Sequence, residues 1–207
     1  MNAHTTAWQI QSLLMSYPDE QLLDRRPLLR AATQTVPAPV AAPLHAFLDH
    51  LDHTTLTELQ VDYVATFDHR KKFSPYLTYF AYGDTRKRGM ALLRFKHAYR
   101  TAGLVLDDGE LPDHLAVVLE FAATGDAAMG RRLMIEHRAG LELMRLGLRE
   151  AGSPWAHVLE SVSATLPSLG RHEHEAVARL AAEGPPEEEV GLAPFAPPEY
   201  MPQGGTR

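Results

Sequence analysis

Cysteine is absent from all 207 residues, and that one absence removes several kinds of chemistry together. Disulfides, zinc ribbons, thiolate nucleophiles and cysteine-ligated iron–sulfur clusters are all excluded. Long apolar runs are missing too: no stretch approaches the roughly 18 uninterrupted apolar residues that a membrane helix needs. The opening Met1-Asn2-Ala3-His4-Thr5 lacks the basic flank and apolar run of a secretory signal, which points to a cytoplasmic protein. There is no excess of positive charge either. Twenty Lys and Arg stand against 26 Asp and Glu, a net charge of −6, which argues against a nucleic-acid binder acting through the whole protein. Sustained period-two alternation with β-branched residues is nowhere found, so no sheet is expected.

The signatures of catalysis are equally scarce. No serine is framed as a G-x-S-x-G elbow, and no glycine-rich loop is shaped to cradle phosphate. Of the 11 histidines, His50 and His53 are three apart and His172-Glu173-His174-Glu175 is locally dense, but neither forms the two-His, one-Glu helical turn of a zincin. A binding protein without catalytic residues, metal or cofactor is expected.

What is present is helical periodicity. With 45% hydrophobic residues, the chain can bury the core of a single domain. Leu56, Leu59, Tyr63, Val64 and Phe67 form one stripe, opened by Thr55 and Glu58 at capping-box spacing. Leu92, Phe95, Tyr99 and Ala102 form another, ending at Gly103. Leu111, Leu115, Val118 and Ala122 follow, with Pro112 in the first turn. Gly125-Asp126 reads as a stop and a new cap, after which Met129, Leu133, His137, Leu141, Met144 and Leu148 recur at helical intervals. Gly152-Ser153-Pro154 is a further stop and restart, with Ser153 as N-cap. Pro43 opens a short helix through Leu44, Phe47, Leu48 and Leu51. The sum is an all-α, single-domain bundle of eight to ten helices over residues 1–184. Residues 185–207, beginning Pro-Pro-Glu-Glu-Glu and rich in proline, read as a disordered acidic tail.

Charge is distributed unevenly. Between His69 and Arg100 lie nine Lys and Arg, opposed only by Asp84, with Tyr76, Tyr79, Phe80 and Tyr82 among them. Three readings stay open: a solvated helix face, a surface for acidic or peptide partners, and nucleic-acid binding by phosphate contact and stacking. Further on, Glu110-Leu111-Pro112-Asp113-His114 reads as a cluster at a loop-to-helix junction. Asp113 there suits the positive end of the helix dipole, and the same field keeps His114 neutral.

Those last residues carry a resemblance. Glu110, Asp113, His114, Leu119 and Phe121, at their spacing, resemble the signature of the TorD/DmsD/NarJ family of redox-enzyme maturation chaperones. Asp62-Tyr63-Val64, Phe67-Asp68, Tyr76-Leu77-Thr78-Tyr79 and the run from Gly83 to Phe95 resemble the NarJ branch in particular. The likeness spans Trp8 to Leu169 and is densest from Val61 to Phe121. It implies a TorD-like helical fold and cytoplasmic action. It also implies transient binding to the apo catalytic (alpha) subunit of respiratory nitrate reductase, at its N-terminal segment. Molybdenum cofactor insertion and the timing of membrane attachment would depend on that binding. The chaperone itself would insert in no membrane, bind no nucleic acid and leave the finished enzyme. On this reading Tyr63 and Phe67, with Tyr76, Tyr79 and Phe80, line a groove for a target helix. Asp113, His114 and Glu120 supply polar contacts, and Arg86 and Arg88 take acidic groups. A sibling chaperone for another molybdoenzyme, or a helical nucleic-acid or nucleotide binder, are the alternatives.

Overall fold

Twelve α-helices and no strand occupy the described residues, 3–106 and 109–186, of the computed structural model. They are α1 (Ala3–Met15), α2 (Glu20–Asp24), α3 (Arg26–Thr33), α4 (Ala38–Asp52), α5 (Leu56–Tyr63) and α6 (Leu77–Tyr82). After them come α7 (Arg86–Thr101), α8 (Leu115–Thr124), α9 (Ala127–Glu136), α10 (Arg138–Glu150), α11 (Trp155–Ala164) and α12 (Arg171–Glu183). The all-helical class is as expected, but the count exceeds eight to ten for two reasons. Helices α2 and α6 have only five and six residues, too few to show a period. The stripe from Met129 to Leu148 is also two helices, because the His137 ring nitrogen sits 2.9 Å from the Leu133 carbonyl and the backbone leaves helical geometry there. Apart from Pro185 and Pro186, the expected tail lies outside the described residues. Among the described residues no helix is long and apolar enough to cross a membrane.

Local chemistry sets many of the boundaries. Thr55 and Glu58 form the reciprocal capping box at the start of α5, and the Asp126 carboxylate accepts from Met129 N at 2.9 Å to start α9. Gly103, at φ 79°, closes α7 in the left-handed conformation that glycine adopts without penalty. Other starts differ from expectation. Helix α4 begins at Ala38 and carries Pro43 inside it, since Pro39 already supplies a preset first turn. Helix α8 begins at Leu115 rather than at Pro112, and α11 at Trp155 with Pro154 as its cap residue. Beyond α5 the chain winds one π turn over Val64–Asp68, so the Leu56–Phe67 stripe is not one uniform helix.

The core centres on α1, which packs on α8 and α11, while α11 packs on α4. Trp155 is fully buried, with the rings of Phe47, Tyr63 and Phe67 at 5.6, 5.7 and 5.6 Å. Polar groups in this interior are paired across long sequence distances. Trp8 donates to Thr165 (3.0 Å), Gln11 to Ser161 (2.8 Å), and Ser12 to the Ala116 carbonyl (2.8 Å). Helix α9 lies so near α8 that a Cβ at Gly130 would stand 2.5 Å from that of Ala122. A buried Arg138–Glu142 pair at 2.8 Å, with Ser163 bound to both residues, ties α10 to α11.

Candidate peptide-binding surface

The loop before α8 is stitched to the start of α6. Pro75 resets the chain after a short 3₁₀ turn at Lys71–Phe73, and the residues after it pair with the Asp113 segment. Leu77 N donates to the Asp113 carbonyl at 3.0 Å, and Leu115 N to the Pro75 carbonyl at 2.9 Å. Tyr76 and His114 form an isolated antiparallel bridge, their rings 5.3 Å apart and edge-on.

Asp113 is wholly buried. Its Oδ2 accepts from Thr78 N at 3.1 Å and Thr78 Oγ1 at 2.5 Å, and Arg88 Nη2 lies 3.8 Å away. The carboxylate thus fastens α6 and α7 to the loop instead of favouring the α8 dipole. Arg88 also donates to Thr78 Oγ1 at 3.1 Å and to Asp84 at 3.3 Å, and its guanidinium stands 5.5 Å from the centre of the Tyr76 ring. His114 is the N-cap of α8: its Nδ1 accepts from Ala116 N at 3.2 Å. Burial drives its pKa below the ordinary imidazole value, although the carboxylates of Glu110, Asp113 and Asp68 pull the other way. A ring that must accept a backbone N–H in a dry site is neutral. Burial likewise raises the Tyr76 hydroxyl above the ordinary phenol range.

These placements divide the ten candidate residues. Tyr63, Phe67 and Phe80 face the core. The first two close around Trp155, and Phe80 packs under Gly140, where a Cβ would meet its ring at 2.7 Å. A groove between the Tyr63–Phe67 turn and the Tyr76–Tyr82 helix is therefore filled by side chains. Tyr76 and Tyr79 are partly exposed, Arg86 is exposed, and Arg88 is partly covered. They gather at the α6–α7 corner, with Asp113 and His114 beneath. Glu120 is exposed elsewhere, beside a pocket of about 190 Å³ with Leu104, Val105 and Phe121.

The larger apolar opening lies along α7. Helix α7 buries Ala91, Phe95, Ala98 and Tyr99, which leaves Met90 and Leu93 outside at 68% and 55% exposure. With Met129 and Leu133 of α9 they line a groove of about 470 Å³, rimmed by Arg94, Arg132 and Glu136. Arg94 reaches Glu136 at 3.1 Å and Arg132 reaches it at 2.8 Å. Sequence reasoning missed this face, because it followed the Leu92–Phe95–Tyr99–Ala102 stripe. The available signal was Met90 and Leu93, apolar residues three apart on the side of α7 that the stripe leaves to solvent. Among the described residues no group of three or more His, Asp or Glu is placed to hold a metal ion.

Comparison with known proteins adds a second line of argument. The family model described as nitrate reductase delta subunit matches residues 33–160. The chain belongs to that family. Within the family, a Bacillus subtilis protein described as a nitrate reductase molybdenum cofactor assembly chaperone, NarJ, is 32% identical over 78% of this chain and 89% of its own length. The Escherichia coli NarJ chaperone is 33% identical over 55% of this chain and 50% of its own length. The nitrate reductase-like protein NarX of Mycobacterium tuberculosis is 37% identical over 79% of this chain, but the chain spans only 24% of that protein's length. A crystal structure from Archaeoglobus fulgidus, described as a redox enzyme maturation protein, superposes with a TM-score of 0.54 at 23% identity, covering 86% of this chain and 93% of the other. That likeness shows that the two chains share a helical fold.

Proposed function

We propose that this chain is an assembly chaperone dedicated to respiratory nitrate reductase. It acts in the cytoplasm on the apo catalytic (alpha) subunit, holds that subunit's N-terminal segment while the molybdenum cofactor is inserted, and leaves before the enzyme is complete. Membership of the delta-subunit family supports the general role, as do relatives described as nitrate reductase assembly chaperones. The observation that carries the binding role is the α7–α9 groove. An exposed Met and Leu on one helix face, opposite Met129 and Leu133, form the kind of adaptable apolar trough that receives an amphipathic helix. The charged rim fixes orientation, and the basic corner at Arg86 and Arg88, with Tyr76 and Tyr79, extends the surface. Asp113 and His114 hold that corner from below through Thr78, Arg88 and Tyr76, Phe80 packs on α10 at Gly140, and Tyr63 and Phe67 belong to the core around Trp155. The role requires no catalytic residue and no cofactor resident in the chain.

Calorimetric titration with a peptide spanning the alpha subunit's N-terminal segment tests this. Saturable binding is expected, weakened about tenfold or more by Leu93→Asp, since burying an unpaired carboxylate in an apolar groove costs more than the roughly 1.4 kcal/mol that corresponds to one decade of affinity. No binding by the folded wild-type chain would sink the reading. Binding only to the corresponding segment of another molybdoenzyme would transfer it to a sibling client.

A further inference from the structure

With no cysteine in the chain, methionine is the only sulfur-bearing residue, and the fold divides the methionines into two groups. Met15, Met134 and Met144 are fully buried. Met90 is 68% exposed, and Met129 is partly exposed. These two stand on different helices, α7 and α9, yet both line the groove that also holds Leu93 and Leu133. Among the described residues, every methionine that solvent reaches is therefore in that groove. Met90 is open because it lies on the side of α7 turned away from Ala91, Phe95, Ala98 and Tyr99, which face the core. Its neighbour Gly89 adds no cover, and a Cβ there would meet nothing within 4 Å.

An exposed thioether has a defined chemistry. The sulfur lone pair attacks one oxygen of a peroxide, the O–O bond breaks as the S–O bond forms, and the other oxygen leaves as water. Sulfur is oxidised by two electrons to a sulfoxide, and the peroxide is reduced. A flexible apolar side chain thereby becomes a polar one. Here the new oxygen would share the groove with Leu93 and Leu133, and the rim guanidinium groups of Arg94 and Arg132 are already held by Glu136.

We propose that Met90 and Met129 are an oxidation site: hydrogen peroxide converts them to sulfoxides and so closes the groove to an apolar helix. The chain then holds a client only while both thioethers are reduced. The consequence for a client rests on the function proposed above; the site of oxidation does not.

To test this, the full chain is treated with hydrogen peroxide and each methionine is followed by peptide mass spectrometry, with circular dichroism recording that the fold is kept. Met90 should react first, at least about tenfold faster than Met15, Met134 and Met144, with Met129 between them. Similar rates at all five in the folded chain overturn the site. The second measurement titrates the alpha-subunit peptide into wild type and into a chain carrying Met90→Leu and Met129→Leu, each compared with itself before oxidation. Oxidation should weaken binding by wild type about fivefold or more, since the sulfoxide is covered without a donor. Methionine sulfoxide reductase should restore it. Equal affinity before and after oxidation overturns the switch. An equal loss in the Leu variant also overturns it, by assigning the effect to another methionine. Failure of both untreated chains to bind the peptide refutes the proposed client, while the order of oxidation still decides the site.

Discussion

The block of α1, α4, α8 and α11 and the single helix α7 are built from similar residues for opposite ends. In the block, apolar faces are covered and most buried polar groups are matched, Gln11 Oε1 excepted: the Met15 carbonyl accepts from the Tyr63 hydroxyl of α5 at 3.1 Å, and the Val40 carbonyl from Ser161 at 2.9 Å. Helix α7 is anchored along one face by Phe95 and Tyr99, the Tyr99 hydroxyl donating to the Pro112 carbonyl at 2.5 Å. Its other face keeps Met90 and Leu93 in solvent. An exposed apolar face gains nothing for the isolated fold and is available to a partner. The contrast teaches that the covered faces hold the fold while an open apolar face is left for the proposed binding role, the two joined at Asp113, whose carboxylate ties α7 to the α6 and α8 junction.

The comparison can be broken from its strongest side first. Trp155→Ala should destabilise the fold by about 3–5 kcal/mol, as an emptied aromatic site that its neighbours cannot fill; chemical denaturation measures it, and a loss near zero would mean that the block is not the core. At the junction, Asp113→Ala should cost about 3 kcal/mol, because it strands the Thr78 donors and the Arg88 charge. Asp113→Asn should cost less, since its amide oxygen keeps an acceptor there. Equal loss in the two variants would show that charge, not hydrogen bonding, holds the junction.

Acid provides a gentler probe. Burial holds the folded His114 pKa below its ordinary 6.5, so the unfolded chain takes up the proton first as pH falls. The stability linked to this neutral ring is fully present above about pH 6.5 and is lost as pH falls from there through the folded pKa. His114→Asn, which retains a side-chain acceptor for the cap, should flatten the dependence of unfolding free energy on pH below that value. A residual slope is expected, because burial shifts His137 and His50 in the same direction. An unchanged slope would remove His114 from the account. The smallest expected effect is at the other pole of the comparison. Leu93→Asp should change stability by no more than about 0.5 kcal/mol, as an exposed substitution does, while peptide affinity collapses. A large loss of stability would make α7 part of the core after all.

Much of this was legible in the residues themselves. The Thr55–Glu58 box, the Asp126 cap and the Gly103 terminus work within a few residues, and the sequence places both partners of each. The all-helical class follows from period alone, and the Asp113-His114 cluster was recognisable as a junction. Less local features were not. The sequence made Tyr63 and Phe67 candidates for a groove, because a stripe says that one face is covered but not by what; Trp155 covers it. Asp113 was placed at a helix dipole because its partners, Thr78 and Arg88, lie 35 and 25 residues away and are invisible to local rules.

What the sequence determined by itself was the inventory: helices and many of their caps, no thiol chemistry, a basic segment beside aromatics, and enough family pattern to suggest a chaperone. The tertiary structure decided which apolar residues are buried and which remain for a partner. Met90 and Phe95 are both apolar and five residues apart on one helix, yet one is exposed and the other is core. Their fates differ because burial is a property of the neighbours that arrive. Those neighbours, Phe121 against Tyr99 and His137 against Phe95, come from helices that the local sequence of α7 does not encode.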